Sequence, residues 1–190
     1  IEVLVNNDIN AGTTIFDESD EKYIDDRILV NIRALVLLSR FFIPEMKKLP
    51  RAYILNMSSL SAWYSIPFKS IYAASKTFVL NFSRAIKSEL RGHSVNVSVV
   101  CPNGVITNEG TFARINSHGN KGRLVTVSVE KVAKLSVEGM LRGKFLIIPG
   151  YFNQFLIFLT RITPHFMEQK LLYKEFFKEV EVSKNKSSHF

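Results

Sequence analysis

Residues 52–57 read AYILNM, a continuous apolar run that is followed by a serine-rich stretch at 58–65. A second run at 95–100, VNVSVV, is rich in β-branched residues and leads into the turn sequence CPNG at 101–104. The residues between the two runs, 70–91, predict a long helix. Short apolar strands that alternate with helices are typical of a parallel sheet with helices on both faces.

The same alternation continues on both sides of this segment. A short apolar run at 2–5 precedes a predicted helix at 17–48, whose acidic start and basic end suit the helix dipole. Downstream, residues 129–142 predict a helix and residues 145–148 a strand. This order predicts an α/β fold with a doubly wound parallel sheet. In such sheets, ligands bind beyond the carboxyl ends of the strands.

The C-terminal part of the chain is aromatic and basic. Residues 151–182 predict one or two amphipathic helices, which either cover the core or a partner subunit, or lie on a membrane surface. Residues 183–190 are expected to be disordered. The predicted organisation is therefore one domain over 1–150, a helical tail over 151–182 and a disordered end.

Composition narrows the functional classes. The single cysteine, Cys101, rules out a disulfide framework and fits a reducing compartment, so a cytoplasmic location is expected. No apolar run reaches the roughly 18 residues of a membrane span, and no secretory signal opens the chain. The net charge of +8 suits a domain that faces phosphates or acidic substrates, or simply a basic solvated surface. Neither a nucleic-acid partner nor a metal site is expected, because the spacings that mark them are missing.

Candidate catalytic residues lie in a strand-end loop and on the two long helices. Tyr72 and Lys76 are four residues apart on a predicted helix and therefore share a face. Ser59 follows a strand, and Asn31 interrupts the apolar stripe of the first long helix. Each feature alone has a common structural explanation, as a surface pair, a turn residue or a satisfied polar group. Their joint order and spacing favour an active site.

With these residues in this order, the chain resembles the short-chain dehydrogenase/reductase (SDR) family over residues 1–150. The matching stretches are Val5-Asn6-Asn7, Asn31, Asn56-Met57-Ser58-Ser59, Tyr72-Ala73-Ala74-Ser75-Lys76 and Cys101-Pro102-Asn103-Gly104-Val105-Ile106-Thr107. The resemblance implies a Rossmann-like fold and an NAD- or NADP-dependent oxidoreductase that interconverts a hydroxyl and a carbonyl group. It also implies a small-molecule substrate and a homo-oligomer.

The resemblance assigns roles that fit the chemistry of carbonyl reduction, which needs a proton as well as a hydride. A phenol has an unperturbed pKa of about 10, and a nearby ammonium stabilises the phenolate. By resemblance, Tyr72 is the general acid/base, and Lys76 supplies the ammonium and binds the cofactor's ribose. Ser59 holds the substrate oxygen, and Asn31 holds a water that links Lys76 to solvent.

The resemblance also implies which residues bind the cofactor. Asn6 is expected near its adenosine end, whereas Asn7 is expected to tie strands together. The remaining implied contacts are Tyr72, Lys76, backbone groups at Pro102, Gly104 and Val105 near the nicotinamide, and Thr107 near the phosphates.

Some features depart from the family's pattern. SDR proteins open with a strand and a Gly-rich turn that meets the cofactor pyrophosphate, whereas Gly-x-Gly does not occur in this sequence. By resemblance, residue 1 corresponds to the family's fourth strand, so the first three strands and the Gly-rich phosphate loop are expected to be absent. Asp8-Ile9 and Asn103 stand where the family usually has glycine-containing stretches, and the Asp8 carboxylate fits poorly beside phosphates. These features keep an alternative open: a non-catalytic SDR-fold binding or scaffold protein, or an inactive fragment that lacks the phosphate site.

The substrate pocket is expected to be apolar. Its walls are expected from residues 62–68 and 107–124, with Trp63, Ile66, Phe68 and Phe112 as the large apolar side chains. These residues favour a lipid-like, steroid-like or other apolar carbonyl compound.

Overall fold

The polypeptide folds around a four-stranded parallel sheet in the order β1-β2-β3-β4. A computed structural model describes residues 1–160 and 162–187 of the chain. The strands are β1 (Val3–Asn6), β2 (Ala52–Met57), β3 (Val95–Val100) and β4 (Leu146–Ile147). The helices are α1 (Glu21–Ile28), α2 (Leu35–Met46), α3 (Ser70–Glu89), α4 (Glu109–Ser117), α5 (Gly119–Val125), α6 (Val129–Leu141), α7 (Tyr151–Thr160) and α8 (His165–Ser187).

Alternate residues of each strand pack on opposite faces of the sheet. On one face, Ile54 packs in a cluster with Met46, the last residue of α2. On the other face, Leu55 and Val100 pack in a cluster with Met140 of α6. Burying one such aliphatic side chain contributes about 1.5–3 kcal/mol, so both layers stabilise the sheet. The prediction of a doubly wound α/β fold is therefore confirmed.

The helix predicted over 17–48 is divided in the structure. Phe16–Glu18 forms a separate 3-10 turn, and α1 begins only after Asp20. The Asp20 carboxylate accepts a 2.6 Å hydrogen bond from the amide of Tyr23. A side chain that bonds to an unpaired amide in this way fixes where a helix starts. The chain then passes through a π-helical segment, Leu29–Ala34, into α2.

The C-terminal half contains more helix than the sequence predicted. α4 and α5 follow β3, and Asn108 caps α4 in a reciprocal pair of hydrogen bonds with Thr111. The tail predicted at 151–182 forms α7 and α8. The latter includes residues 183–187, where disorder was expected, and residues 188–190 lie outside the described part.

The described residues contain neither a helix that could cross a bilayer nor a cluster of metal-binding side chains. None of the helices in 1–160 and 162–187 combines the length and apolarity needed to cross a bilayer. Within the same residues, no group of three or more His, Cys, Asp or Glu side chains is placed to hold a metal ion.

Candidate active site

The loops after the strands meet at one edge of the sheet. β1 ends at Asn6, which pairs with Asn56, the residue before the last one of β2. Beyond β2, the amide of Leu60 donates a 2.8 Å hydrogen bond to the carbonyl oxygen of Pro102, which follows β3. This bond joins the loop that carries Ser59 to the loop predicted to meet the nicotinamide.

Tyr72 and Lys76 lie one turn apart on α3. Nζ of Lys76 is 5.7 Å from the centroid of the Tyr72 ring and donates a 3.1 Å hydrogen bond to the carbonyl oxygen of Met57. Lys76 is only 1% exposed, whereas Tyr72 is half-buried. Burial lowers the pKa of Lys76 to about 8, although the neighbouring Cys101 and Asp8 act to raise it. A lysine with this pKa is mostly an ammonium at neutral pH, and it lies where it can stabilise a phenolate.

Ser59 caps the short 3-10 helix Leu60–Trp63. Its hydroxyl oxygen accepts a 3.1 Å hydrogen bond from the amide of Ser61. Within the described part of the chain, the hydrogen of this hydroxyl has no acceptor, and the residue is half-buried. The Thr77 hydroxyl of α3 donates a 3.0 Å bond to the carbonyl oxygen of Ala62, which fixes this loop against the helix that carries Tyr72. Ser59 can therefore cap a turn and still donate to a substrate oxygen.

Asn31 lies in the π-helical segment and is 2% exposed. Its side-chain oxygen accepts a 2.8 Å hydrogen bond from the amide of Asn10, and its nitrogen donates to the Asn10 carbonyl at 2.9 Å and to the Ser75 hydroxyl at 3.2 Å. The Ser75 hydroxyl donates to the carbonyl oxygen of Tyr72 at 2.7 Å. Asn31 thus connects the loop after β1 to the turn of α3 that carries Tyr72. The π-helical segment itself is a feature that is frequent at functional sites. The role of Asn31 in holding a water stays a prediction.

A chain of amide hydrogen bonds ties β1 and β2 to α3. Nδ2 of Asn6 donates a 2.7 Å bond to Oδ1 of Asn56, and Nδ2 of Asn56 donates a 2.9 Å bond to the Ser83 hydroxyl. Asn7, which was expected to tie the strands, is exposed, so that expectation is wrong. Successive strand residues point to opposite faces of the sheet, and Asn6 lies on the face that α3 covers. Oδ1 of Asn6 is buried without a hydrogen-bond partner in the described residues.

The loop after β3 carries the other predicted cofactor contacts. Pro102 is buried, Gly104 and Val105 are half-buried, and Thr107 is exposed. The carbonyl of Gly104 accepts a 3.0 Å bond from the amide of Val127, and a Cβ at Gly104 would lie 2.9 Å from Oγ1 of Thr126, which favours glycine there. Asn103, at a position where the family often has glycine, donates a 3.2 Å bond to Oδ1 of Asn153. This bond attaches the loop to α7.

A cavity of about 100 Å³ lies beside the buried lysine. Its walls include Lys76, Asn31 and Asn6 together with Asp8. The cavity is therefore bordered by a cation, a carboxylate and asparagines, together with apolar residues such as Leu35 and Leu38. Such walls suit a group that carries hydroxyls.

Two serines of the site received no role from the sequence. The Ser58 hydroxyl donates a 2.8 Å bond to the carbonyl oxygen of Lys76, and Ser75 joins Asn31 to Tyr72. Both serines are 1% exposed. A polar residue on the buried face of a helix was the signal that pointed to Asn31, and the same signal could have identified Ser75.

A parallel sheet with polar loops at its carboxyl edge defines the Rossmann-like class of α/β proteins. The model of the short chain dehydrogenase family matches residues 1–118, and the chain belongs to this family. The 11-beta-hydroxysteroid dehydrogenase-like 4A of Arabidopsis thaliana is 31% identical over 172 residues, which cover 88% of this chain and 56% of that protein. The 17-beta-hydroxysteroid dehydrogenase type 3 of Danio rerio is 31% identical over 148 residues, which cover 75% and 46%. The chain spans about half the length of the curated relatives it matches.

Solved structures agree with this fold. A 7beta-hydroxysteroid dehydrogenase superposes with a TM-score of 0.78 at 16% identity, covering 90% of this chain and 66% of that chain. A short-chain dehydrogenase from Sphingobium yanoikuyae in complex with NADPH superposes with a TM-score of 0.68 at 25% identity, covering 80% and 58%.

The residues at the carboxyl edge fit one part of a nicotinamide cofactor. Lys76 and Asn6 border the same cavity, where the Lys76 ammonium can donate hydrogen bonds to ribose hydroxyls. Asp8 also borders this cavity, and a carboxylate suits hydroxyls but repels phosphates. The fit of these residues therefore concerns the hydroxyl-bearing part of the cofactor.

Proposed function

We propose that this protein is an NAD- or NADP-dependent oxidoreductase that interconverts a hydroxyl and a carbonyl group on an apolar small molecule. The observation that carries the proposal is the buried Lys76 ammonium, 5.7 Å from the Tyr72 ring and beside a cavity that Asn31 and Asp8 also line. Relatives named as hydroxysteroid dehydrogenases, and a solved relative in complex with NADPH, support this class of reaction.

The chain's own residues supply the proton chemistry, while the cofactor supplies or accepts the hydride. The Tyr72 hydroxyl gives its proton to the carbonyl oxygen in reduction and takes it back in oxidation. Lys76 stabilises the phenolate that remains. Ser59 donates a hydrogen bond to the same substrate oxygen and keeps it within reach of Tyr72. Asn31 holds the loop after β1 against α3 and provides the place for a water that links Lys76 to solvent.

Replacing Tyr72 by phenylalanine tests the proposal in the full-length protein. Tyr72→Phe removes one hydroxyl, and we expect turnover of carbonyl and alcohol substrates to fall by about 10²–10⁴-fold. Tyr151→Phe makes the same chemical change at a residue that is 89% exposed, and should leave turnover unchanged. Full activity of Tyr72→Phe on a substrate that the parent converts would exclude Tyr72 as the general acid/base.

We further propose a lipid-like or steroid-like substrate. Of the predicted pocket residues, Ile66 is 8% exposed and Trp63 packs against a core cluster. Both side chains therefore make their main contacts within the protein. Phe112 is 51% exposed and remains able to contact a ligand. Turnover of a series of ketones of increasing apolar surface tests the substrate class, and a preference for the small polar members would contradict it.

The second candidate function is a non-catalytic binding or scaffold protein with an SDR fold. The position of Asp8 in the cavity wall favours it, because a carboxylate there repels the phosphates of a cofactor. For the 190-residue chain we expect weak or no binding of cofactor. Calorimetric titration with NADH and NADPH measures this, and a micromolar Kd would contradict the expectation.

We propose a homo-oligomer that pairs through the long helices. Phe41 of α2 is 72% exposed and Leu37 is 48% exposed. On α3, Phe78 and Phe82 stack with ring centroids 5.6 Å apart. Apolar side chains of this size on the two long helices suit burial against a second copy. Sedimentation equilibrium of Phe41→Asp tests this, and an unchanged mass larger than one chain would remove these helices from the interface.

Contact of residues 151–182 with a membrane surface is a further proposal about partners. Phe155 is 52% exposed, Phe158 58% and Ile162 64%, and α7 carries no charged residue. Exposed aromatic side chains of this kind can enter the headgroup region. Flotation with lipid vesicles, with and without residues 151–190, tests the contact, and equal flotation of both forms would contradict it. A cytoplasmic location stays a prediction that rests on the single free Cys101.

A further inference from the structure

Glu179 of α8 lies at a junction of three segments. Its carboxylate lies 2.5 Å from Nζ of Lys69, accepts a 2.7 Å hydrogen bond from the Thr13 hydroxyl, and lies 2.7 Å from Nε2 of His118. The Glu179 side chain is 5% exposed. A carboxylate is rarely buried to this extent unless several donors compensate for its lost hydration.

Each partner of Glu179 belongs to a different segment at the carboxyl edge of the sheet. Thr13 lies in the loop after β1. Lys69 is the residue immediately before α3, three positions ahead of Tyr72. His118 lies between α4 and α5, in the segment after β3 that is expected to border the substrate. A single side chain of the tail therefore connects the segments that follow three neighbouring strands.

Aromatic contacts of α8 extend this junction. Phe68, which precedes Lys69 and has a φ of 64°, packs against Tyr173 and Phe177 with ring centroids 5.1 and 5.7 Å apart. A positive φ is unusual for a bulky residue and persists only where the surroundings enforce it. α8 therefore holds the entry to α3 by packing as well as by charge.

The Glu179 carboxylate at this junction is ionised over the whole neutral range. Burial alone would raise the pKa of Glu179, but the hydrogen bond from His118, the charge and hydrogen bond of Lys69 and the hydrogen bond from Thr13 outweigh burial and hold this pKa at about 2. Removing one partner of a buried pair leaves an uncompensated charge, so the junction resists opening.

We propose that Glu179 is a positioning residue, which holds α4, α5 and the start of α3 in the arrangement that binds substrate beside Tyr72. The tail thereby sets the affinity for the substrate without contacting the reacting atoms. The inference rests on the proposed function. The contacts of Glu179 with Thr13, Lys69 and His118, called the clamp below, can nevertheless be observed without turnover.

Hydrogen exchange of the full-length protein tests the clamp. Glu179→Gln keeps the shape of the side chain and removes its charge. We expect amides of residues 65–70 and 109–125 to lose about tenfold in protection, the effect of one charged hydrogen bond. Glu181→Gln makes the same change at an exposed position of the same helix and should alter neither segment. Unchanged protection in Glu179→Gln would overturn the proposal.

His118→Ala gives an independent test, which decides the matter if Glu179→Gln does not fold. This variant leaves the pair of Lys69 and Glu179 intact. We expect it to release residues 109–125 and to leave 65–70 protected. Equal protection of 109–125 in the parent and in His118→Ala would overturn the proposal.

Kinetics separate positioning from a purely structural role. In Glu179→Gln we expect KM for the carbonyl substrate to rise about tenfold, with kcat and the KM for the cofactor unchanged. A structural role alone would reduce the active fraction, and would lower kcat while leaving KM unchanged. That second pattern would overturn the positioning role. If the parent converts no substrate, the proposed function fails, and hydrogen exchange still decides whether the clamp exists.

Discussion

Lys76 is a buried base whose charge opposes the stability of the fold. Its pKa is about 8 in the folded chain instead of 10.5, because burial disfavours the ammonium. One pH unit corresponds to about 1.4 kcal/mol, so keeping this proton below pH 8 costs the folded protein about 3 kcal/mol. A folded pKa below the unfolded one means that the unfolded chain binds the proton more tightly. Stability contributed by this group therefore rises as the pH increases from 8 to 10.5.

The substitution Lys76→Met removes the titrating group at nearly constant volume. The free energy of unfolding of the variant should exceed that of the parent by the largest amount below pH 8. This relative free energy should decrease by about 3 kcal/mol as the pH rises through 10.5. Urea denaturation across this range measures it. Lys87→Met makes the same change at an exposed position of α3 and is the matched control.

The result that would refute this reasoning is a difference between Lys76→Met and the parent that does not change with pH. A variant that is more stable near neutral pH and has lost turnover is the expected outcome. That combination marks a residue whose charge serves chemistry at the expense of stability.

Three further predictions concern packing, hydrogen bonding and acid stability. Gly139→Ala places a Cβ 2.6 Å from Cδ1 of Ile147, and urea denaturation should show a loss of about 1–3 kcal/mol from overpacking; an unchanged midpoint would contradict the close contact. Ser83→Ala leaves Nδ2 of buried Asn56 without its acceptor, which should cost about 1–3 kcal/mol and lower Tm, whereas an equal Tm would argue against this hydrogen bond. Glu179 has a folded pKa of about 2 instead of 4.5, so its contribution is present above pH 4.5 and is lost as the pH falls toward 2. Denaturation of Glu179→Gln and the parent at several acidic pH values should show their difference shrinking over that range, and a constant difference would contradict the pKa.

The order of strands and helices followed from local periodicity. Val95–Val100 forms the predicted strand, and Ser70–Glu89 forms most of the helix predicted at 70–91. Apolar periodicity is a property of neighbouring residues, so it is visible in the sequence. The division of the helix predicted at 17–48 was not visible, because both acidic positions Asp17 and Asp20 suit a helix start and only the structure shows which one caps it.

The sequence by itself determined the α/β fold and the placement of Tyr72 and Lys76 on one helical face, because both depend on spacings within a few residues. Only the tertiary structure decided that Asn6 and not Asn7 ties the strands, since that depends on which face of the sheet α3 covers. It also decided the pKa of Lys76 near 8, because burial is the sum of packing from distant segments. The junction at Glu179 joins residues more than 100 positions apart in sequence, and no local pattern encodes such a contact.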